Sequence, residues 1–69
     1  MYMYVLVNRN TGMYLKWFRD INLKHYVLDI EEASKFTYQQ AYQIKNKYKH
    51  PDNWRIKRWK KLKLKENKK

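Results

Sequence analysis

The side chains able to do acid–base or nucleophilic chemistry are few and scattered. The carboxylates are Asp20, Asp29, Glu31, Glu32, Asp52 and Glu66, the imidazoles are His25 and His50, Ser34 is the only serine, and cysteine is absent. Glu31 and Glu32 are adjacent, so on a helical turn they diverge and serve its N-terminal dipole rather than one substrate atom. Ser34 has no triad context, and no glycine-rich loop could cradle a phosphate. Among His25, His50, Asp29 and Asp52, only His50 and Asp52 are closely spaced, which is too little for a metal site. Without cysteine there is neither a disulfide nor a thiolate zinc site. The expectation is a protein that is not an enzyme, with no cofactor, no metal and no small-molecule substrate.

The remaining chemistry is positive charge. The chain carries 17 Lys and Arg against 6 Asp and Glu, a formal net charge of +11. Residues 54–69 hold nine of those cations against Glu66 alone, which is +8 of the total and leaves +3 for the other 53 residues. Charge of this size speaks to partners: nucleic acid, an anionic membrane or an acidic protein. In the run from Trp54 to Lys65, a period of two puts Trp54, Ile56, Leu62 and Leu64 on one face, with Trp59 opposite. At 100° per residue the same residues scatter, so the run reads as a strand. The same scatter argues against an interfacial helix and against membrane binding.

The face opposite the apolar row carries Arg55, Lys57, Trp59, Lys61, Lys63 and Lys65. Alternate strand positions lie about 6.6–6.8 Å apart, a repeat close to that of phosphates along a nucleic-acid strand. Such a row would neutralise several phosphates and release counterions, and Trp59 could stack on a base. Arg58 and Lys60 fall on the apolar face, which implies that the strand bends, reaches an edge or leaves the sheet there. The competing reading is an edge strand kept soluble by lysine, but nine cations in sixteen residues exceed that need. The candidate binding residues are therefore Arg55, Lys57, Arg58, Trp59, Lys60, Lys61, Lys63 and Lys65.

The elements that must position this strand are legible in order. A chain of 69 residues buries only about 60% of its unfolded surface. Seven Tyr, three Trp and two Phe compensate with large buried area per residue. Residues 2–8 read as a strand, Asn8 to Gly12 as a hairpin loop using the only glycine, and Met13 to Phe18 as its partner. Met13, Leu15 and Trp17 fall on one face, and Tyr14, Lys16 and Phe18 on the other. Residues 19–24 read as a loop and 25–29 as a third strand. Asp29 with Glu32 fits the cap of a short helical turn through Ala33. Thr37 and Gln40 form a capping box, with Phe36 and Ala41 at the staple positions. The helix should run to about Tyr48, burying Tyr38, Ala41, Ile44 and Tyr48, with Tyr42 at the margin. Lys45, Lys47 and Lys49 suit its C-terminal end, and Pro51 stops it at His50. Tyr2, Tyr4, Tyr14, Phe18 and Tyr26 could form an aromatic platform on an open sheet face, but so small a core needs most of them inside.

The hairpin step Asn10-Thr11-Gly12-Met13-Tyr14-Leu15 and the helix entry Ala33-Ser34-Lys35-Phe36-Thr37-Tyr38-Gln39-Gln40-Ala41 resemble a class of small phage and mobile-element proteins. These have a Tyr-rich hairpin, an Ala-x-x-Phe-Thr/Ser-x-x-x-Ala step into a helix, and a closing strand. The likeness spans residues 2–58 and implies a fold, since the shared positions are turn, cap and core residues. It also implies an accessory protein made in a host cytoplasm, including inhibitors of host or defence machinery. The basic ending through Lys69 lies outside the shared outline.

The combined expectation is an α+β domain over residues 1–65, with a basic tail over 66–69. It consists of one small antiparallel sheet in β-β-β-α-β order, with one main helix packed on one face. The apolar opening lacks a positive flank and a small-residue cleavage site, and no run approaches the ~20 residues of a membrane span, so the expected location is cytoplasmic. The expected function is binding of nucleic acid or a nucleoprotein through the basic strand. The alternative is stoichiometric inhibition of a host or defence factor, of the anti-CRISPR or host-takeover kind, through an acidic surface or a nucleic-acid channel. Self-pairing to a homodimer through an exposed sheet edge is open.

Overall fold

In the computed structural model, which describes residues 2–59, the first turn is made by two short polar side chains and one glycine. Asn8 Oδ1 accepts from the amides of Asn10 and Thr11, at 2.8 and 3.1 Å. Thr11 Oγ1 accepts from the amide of Met13 at 3.1 Å. Gly12 takes φ +76°, the left-handed geometry that L side chains resist. The turn joins β1 (Met3–Asn8) to β2 (Tyr14–Phe18).

A 3₁₀ turn at Arg19–Ile21 then leads into β3 (Leu23–Val27). The expected loop over 19–24 and strand over 25–29 are thus displaced. Asn22, with φ +51°, supplies the reversal that glycine usually supplies, so the strand starts two residues early. Its Oδ1 also accepts from Trp17 Nε1 at 3.2 Å. A second 3₁₀ turn, Ile30–Glu32, is capped by Asp29, whose side chain accepts from the Glu31 amide. Helix α1 (Tyr38–Asn46) opens with the expected reciprocal box between Thr37 and Gln40, both bonds at 3.1 Å. It ends before Tyr48, because the Lys47 amide turns back to the carbonyls of Ile44 and Lys45. After a Pro51–Asn53 turn, β4 (Trp54–Trp59) closes the sheet. The expected continuation of this strand to Lys65, with Leu62 and Leu64 in its apolar row, lies outside the described residues.

The sheet is antiparallel in the order β3-β2-β1-β4, so the expected small α+β fold is the one that forms. β4 pairs with β1 over its whole length, from Asn8↔Trp54 to Met3↔Trp59. β1 and β2, by contrast, share only the Val7↔Tyr14 position before they part. The gap is filled by the chain entering α1. Tyr4 exchanges both backbone bonds with Phe36, at 2.7 and 2.8 Å. The Ser34 amide donates to the Leu15 carbonyl at 3.0 Å. Ser34 Oγ accepts from the Trp17 amide at 2.8 Å, standing in for a missing strand neighbour.

Side-chain alternation fixes the two faces of the sheet. Leu6, Leu15, Phe36, Ala41 and Trp54 form the core under α1, with Tyr4, Trp17, Ile44, Tyr48 and Ile56 packed against it. Glu31 lies over the other face, where its carboxylate accepts from Trp59 Nε1 at 3.4 Å. The segment from Ala33 to Phe36 therefore passes through the sheet layer, from one face to the other. Ala33 is small and buried, and Ser34 supplies its own hydrogen bonds. Residues of this size suit a passage between two strands.

The helix stripe corrects one expectation. Tyr38 is 54% exposed and does not join the core. It begins the helix and meets Tyr4 edge to face, with ring centroids 5.3 Å apart. Tyr48 does face inward, stacked on Trp54 at 4.8 Å. Its hydroxyl is buried without a well-formed hydrogen bond among the described residues. Burial, and then the neighbouring Tyr26 side chain, push its pKa above the usual phenol range.

Candidate nucleic-acid interface

Among the described residues β4 is the outermost strand on its side of the sheet. Alternation puts Arg55, Lys57 and Trp59 on the face away from α1, and Trp54, Ile56 and Arg58 on the helix side. This is the division expected from period two. Arg58 needs no bend in the strand, because an edge position lets it reach out of the apolar row. Its guanidinium lies 4.5 Å from the centre of the Tyr2 ring. Lys60, Lys61, Lys63 and Lys65 lie outside the described residues.

Arg55, Lys57 and Arg58 are all exposed. Lys57 Nζ stands 5.9 Å from the Tyr14 ring, and across the same face Lys16 stands 5.3 Å from Phe18. On the helix side Lys24 lies near both Trp17 and Tyr48, at 5.2 and 5.1 Å. A ring face attracts a cation by roughly 0.5–1 kcal/mol at such exposed sites. It does not neutralise the charge, so these side chains are held in place while remaining able to meet an anion.

Trp59 and Lys35 are placed differently. Lys35 Nζ donates to the carbonyls of Ile30, Glu31 and Ala33, at 3.1, 2.8 and 2.8 Å, which uses all three of its protons. The same ammonium sits 4.8 Å from the Trp59 ring. With its Nε1 on Glu31, Trp59 is half-buried and engaged in fastening β4 to the turn that precedes the sheet crossing. The structure thus gives Trp59 a structural role beside the stacking role expected for it.

The aromatic platform does not assemble as a single surface. Tyr14 and Phe18 lie on the face away from α1, whereas Tyr2, Tyr4 and Tyr26 lie on the helix side. Tyr4 meets Tyr38, and Tyr26 lies 5.9 Å from Trp54. A different aromatic group is exposed instead. Tyr38 and Tyr42 are stacked on the outer side of α1, with centroids 6.5 Å apart and an interplanar angle of 18°. They form one wall of an open cleft of about 330 Å³ between α1 and β4. Trp54 and Ile56 line it from the helix side of β4 together with Arg9, Lys45 and Asp52, and the strand at Arg55 completes the lining. Sequence reasoning assigned Arg55 to the interface but missed Arg9, Tyr38, Tyr42 and Lys45. The available signal was the Tyr38/Tyr42/Lys45 spacing, which places three residues of one helix face side by side.

Among the described residues, no group of three or more His and acidic side chains could hold a metal ion, and no helix is long and apolar enough to cross a membrane. His25 packs edge-on against Phe18 at 5.5 Å. No family model, curated protein or solved structure matches this chain. The residues on which the expected resemblance rests, at the Gly12 turn, the Thr37 cap and the buried Ala33, Phe36 and Ala41, are accounted for by the fold itself.

Proposed function

We propose that this protein binds nucleic acid without reading its sequence, using β4 and the basic run that continues it. The observation that carries this reading is the state of the β4 cations. Arg55, Lys57 and Arg58 are exposed on an outer strand, and where a partner is defined it is an aromatic ring rather than a carboxylate. Their charge is left to be neutralised by a polyanion. Six further Lys in residues 60–69 extend the same run. Phosphate contacts of this kind give affinity and salt dependence, not base readout.

A salt series tests it. Log affinity for a single-stranded oligonucleotide should fall linearly with log salt, and each lost phosphate contact should reduce the slope by about 0.7. Arg55→Gln, Lys57→Gln and Arg58→Gln together should therefore flatten the slope by about 2. Absence of binding at low salt would end this reading. The same basic surface would then be tested against acidic proteins, where an inhibitor would act.

A further inference from the structure

We infer that the cleft between α1 and β4 receives an unpaired nucleobase, so that the protein prefers single-stranded over duplex nucleic acid; this rests on the nucleic-acid reading above. Two stacked tyrosine rings, 54% and 51% exposed, stand in water on the outer side of α1. Burying these two would have enlarged a thin core. Instead they wall a cleft of about 330 Å³ that Trp54 and Ile56 also line. That volume is at the low end for ligand sites, of order 300–1,000 Å³, and suits one flat ring system.

The rim selects the rest of the ligand. Arg9 and Lys45 contribute two positive charges against the single carboxylate of Asp52. Aromatic walls with a positive rim match an aromatic group that carries an adjoining anion, which is the chemistry of a nucleotide. A base within a duplex is stacked on both faces and cannot enter, whereas a single strand offers every base a free π-face. Next along β4 on the same side, Arg58 rests on Tyr2, which is 60% exposed. Its distance from Ile56, two strand residues or about 6.6–6.8 Å, would let the following nucleotide meet a second cation-and-ring pair.

The test compares fluorescently labelled oligo(dT) and oligo(U) with an abasic single strand and a duplex of equal length, by anisotropy at fixed salt. Stacking is worth about 1–3 kcal/mol per base, so the intact strands should bind roughly 5- to 150-fold more tightly than the abasic strand for each base held. Tyr42→Leu, and Tyr38→Leu with it, should shrink that ratio, while Lys57→Gln should weaken intact and abasic strands alike. Equal affinity for intact and abasic strands would overturn the inference and leave the nucleic-acid reading standing. Absence of binding to every probe would overturn both. The comparison on the unaltered protein requires no variant. Tyr42→Leu alone keeps the Tyr4–Tyr38 contact, so an unchanged intact-to-abasic ratio in that folded variant would also count against the cleft.

Discussion

Ser34→Ala isolates what the sheet crossing costs to hold together. In the unaltered protein the Trp17 amide points into the gap between β1 and β2 and is satisfied by Ser34 Oγ at 2.8 Å. The return bond from Ser34 Oγ to the Trp17 carbonyl, at 3.4 Å, is too long to contribute much. Alanine keeps the backbone bond from residue 34 to the Leu15 carbonyl and adds no bulk, so the change amounts to one orphaned, part-buried donor. Such a donor costs about 1–3 kcal/mol, and partial burial places the expectation near the middle, at about 2 kcal/mol. Stability near 0.05–0.15 kcal/mol per residue amounts to roughly 3–10 kcal/mol for a chain of this size, so the loss is a large share. Urea unfolding followed by tryptophan fluorescence should show a lower midpoint with an unchanged slope, and each kcal/mol should lower Tm by about 4–8 °C. Hydrogen exchange adds a local readout: the Trp17 amide should lose protection while Phe36, bonded to Tyr4, keeps it. A change below about 0.3 kcal/mol, with the Trp17 amide still protected, would refute the view that Ser34 substitutes for a strand neighbour.

Two further substitutions probe the frame around the cleft. Tyr48→Phe removes a buried hydroxyl that lacks a well-formed partner, and should leave stability at pH 7 unchanged or raise it by about 1 kcal/mol in thermal or urea unfolding. Because the folded-state pKa of Tyr48 is raised, the unfolded chain ionises first. This group's stabilisation is intact below about pH 10 and is lost as pH rises beyond that. The Phe variant should unfold less steeply with alkali, and a steeper alkaline loss in it would reverse the assignment. Gly12→Ala meets no atom within 4 Å but must adopt φ +76°, so it should cost about 1–2 kcal/mol, with Gly12→Asn milder. Equal stability of all three chains in urea would show that the turn relaxes.

Local features were readable because local chemistry determines them. Gly12 at the turn, Thr37 with Gln40 at the cap, and Trp54 and Ile56 on one side of β4 all depend on residues within a few positions of each other. β3 was read two residues late because Asn22, rather than a glycine, supplies the left-handed residue. Tyr38 has helical spacing from Ala41, which by itself predicts a core position. Its position at the first turn, against the half-buried Tyr4, leaves its ring outside. The crossing of Ala33–Phe36 between β1 and β2 had no periodic signal at all, since neither alternation nor helical spacing marks a passage through a sheet. The cleft depends in turn on where α1 lies across β1 and β4. It therefore joins residues 9, 38–45 and 52–56, whose proximity no local pattern encodes.

The place of β1 in the strand order sets the tempo at which this molecule can assemble. β2 and β3 are joined by a short turn, but Asn8 meets Trp54 and Met3 meets Trp59, 46 and 56 residues apart. On its other side Tyr4 waits for Phe36, and Val7 alone meets β2. Loops of that length must close before the central strand gains its full-length neighbour, which slows folding relative to a local hairpin. Tyr2-Met3-Tyr4-Val5-Leu6-Val7 is uncharged and rich in strand-forming residues, and during synthesis each β1 residue precedes its β4 partner by 46 or more residues. That interval is when the nascent chain is most open to association with other chains.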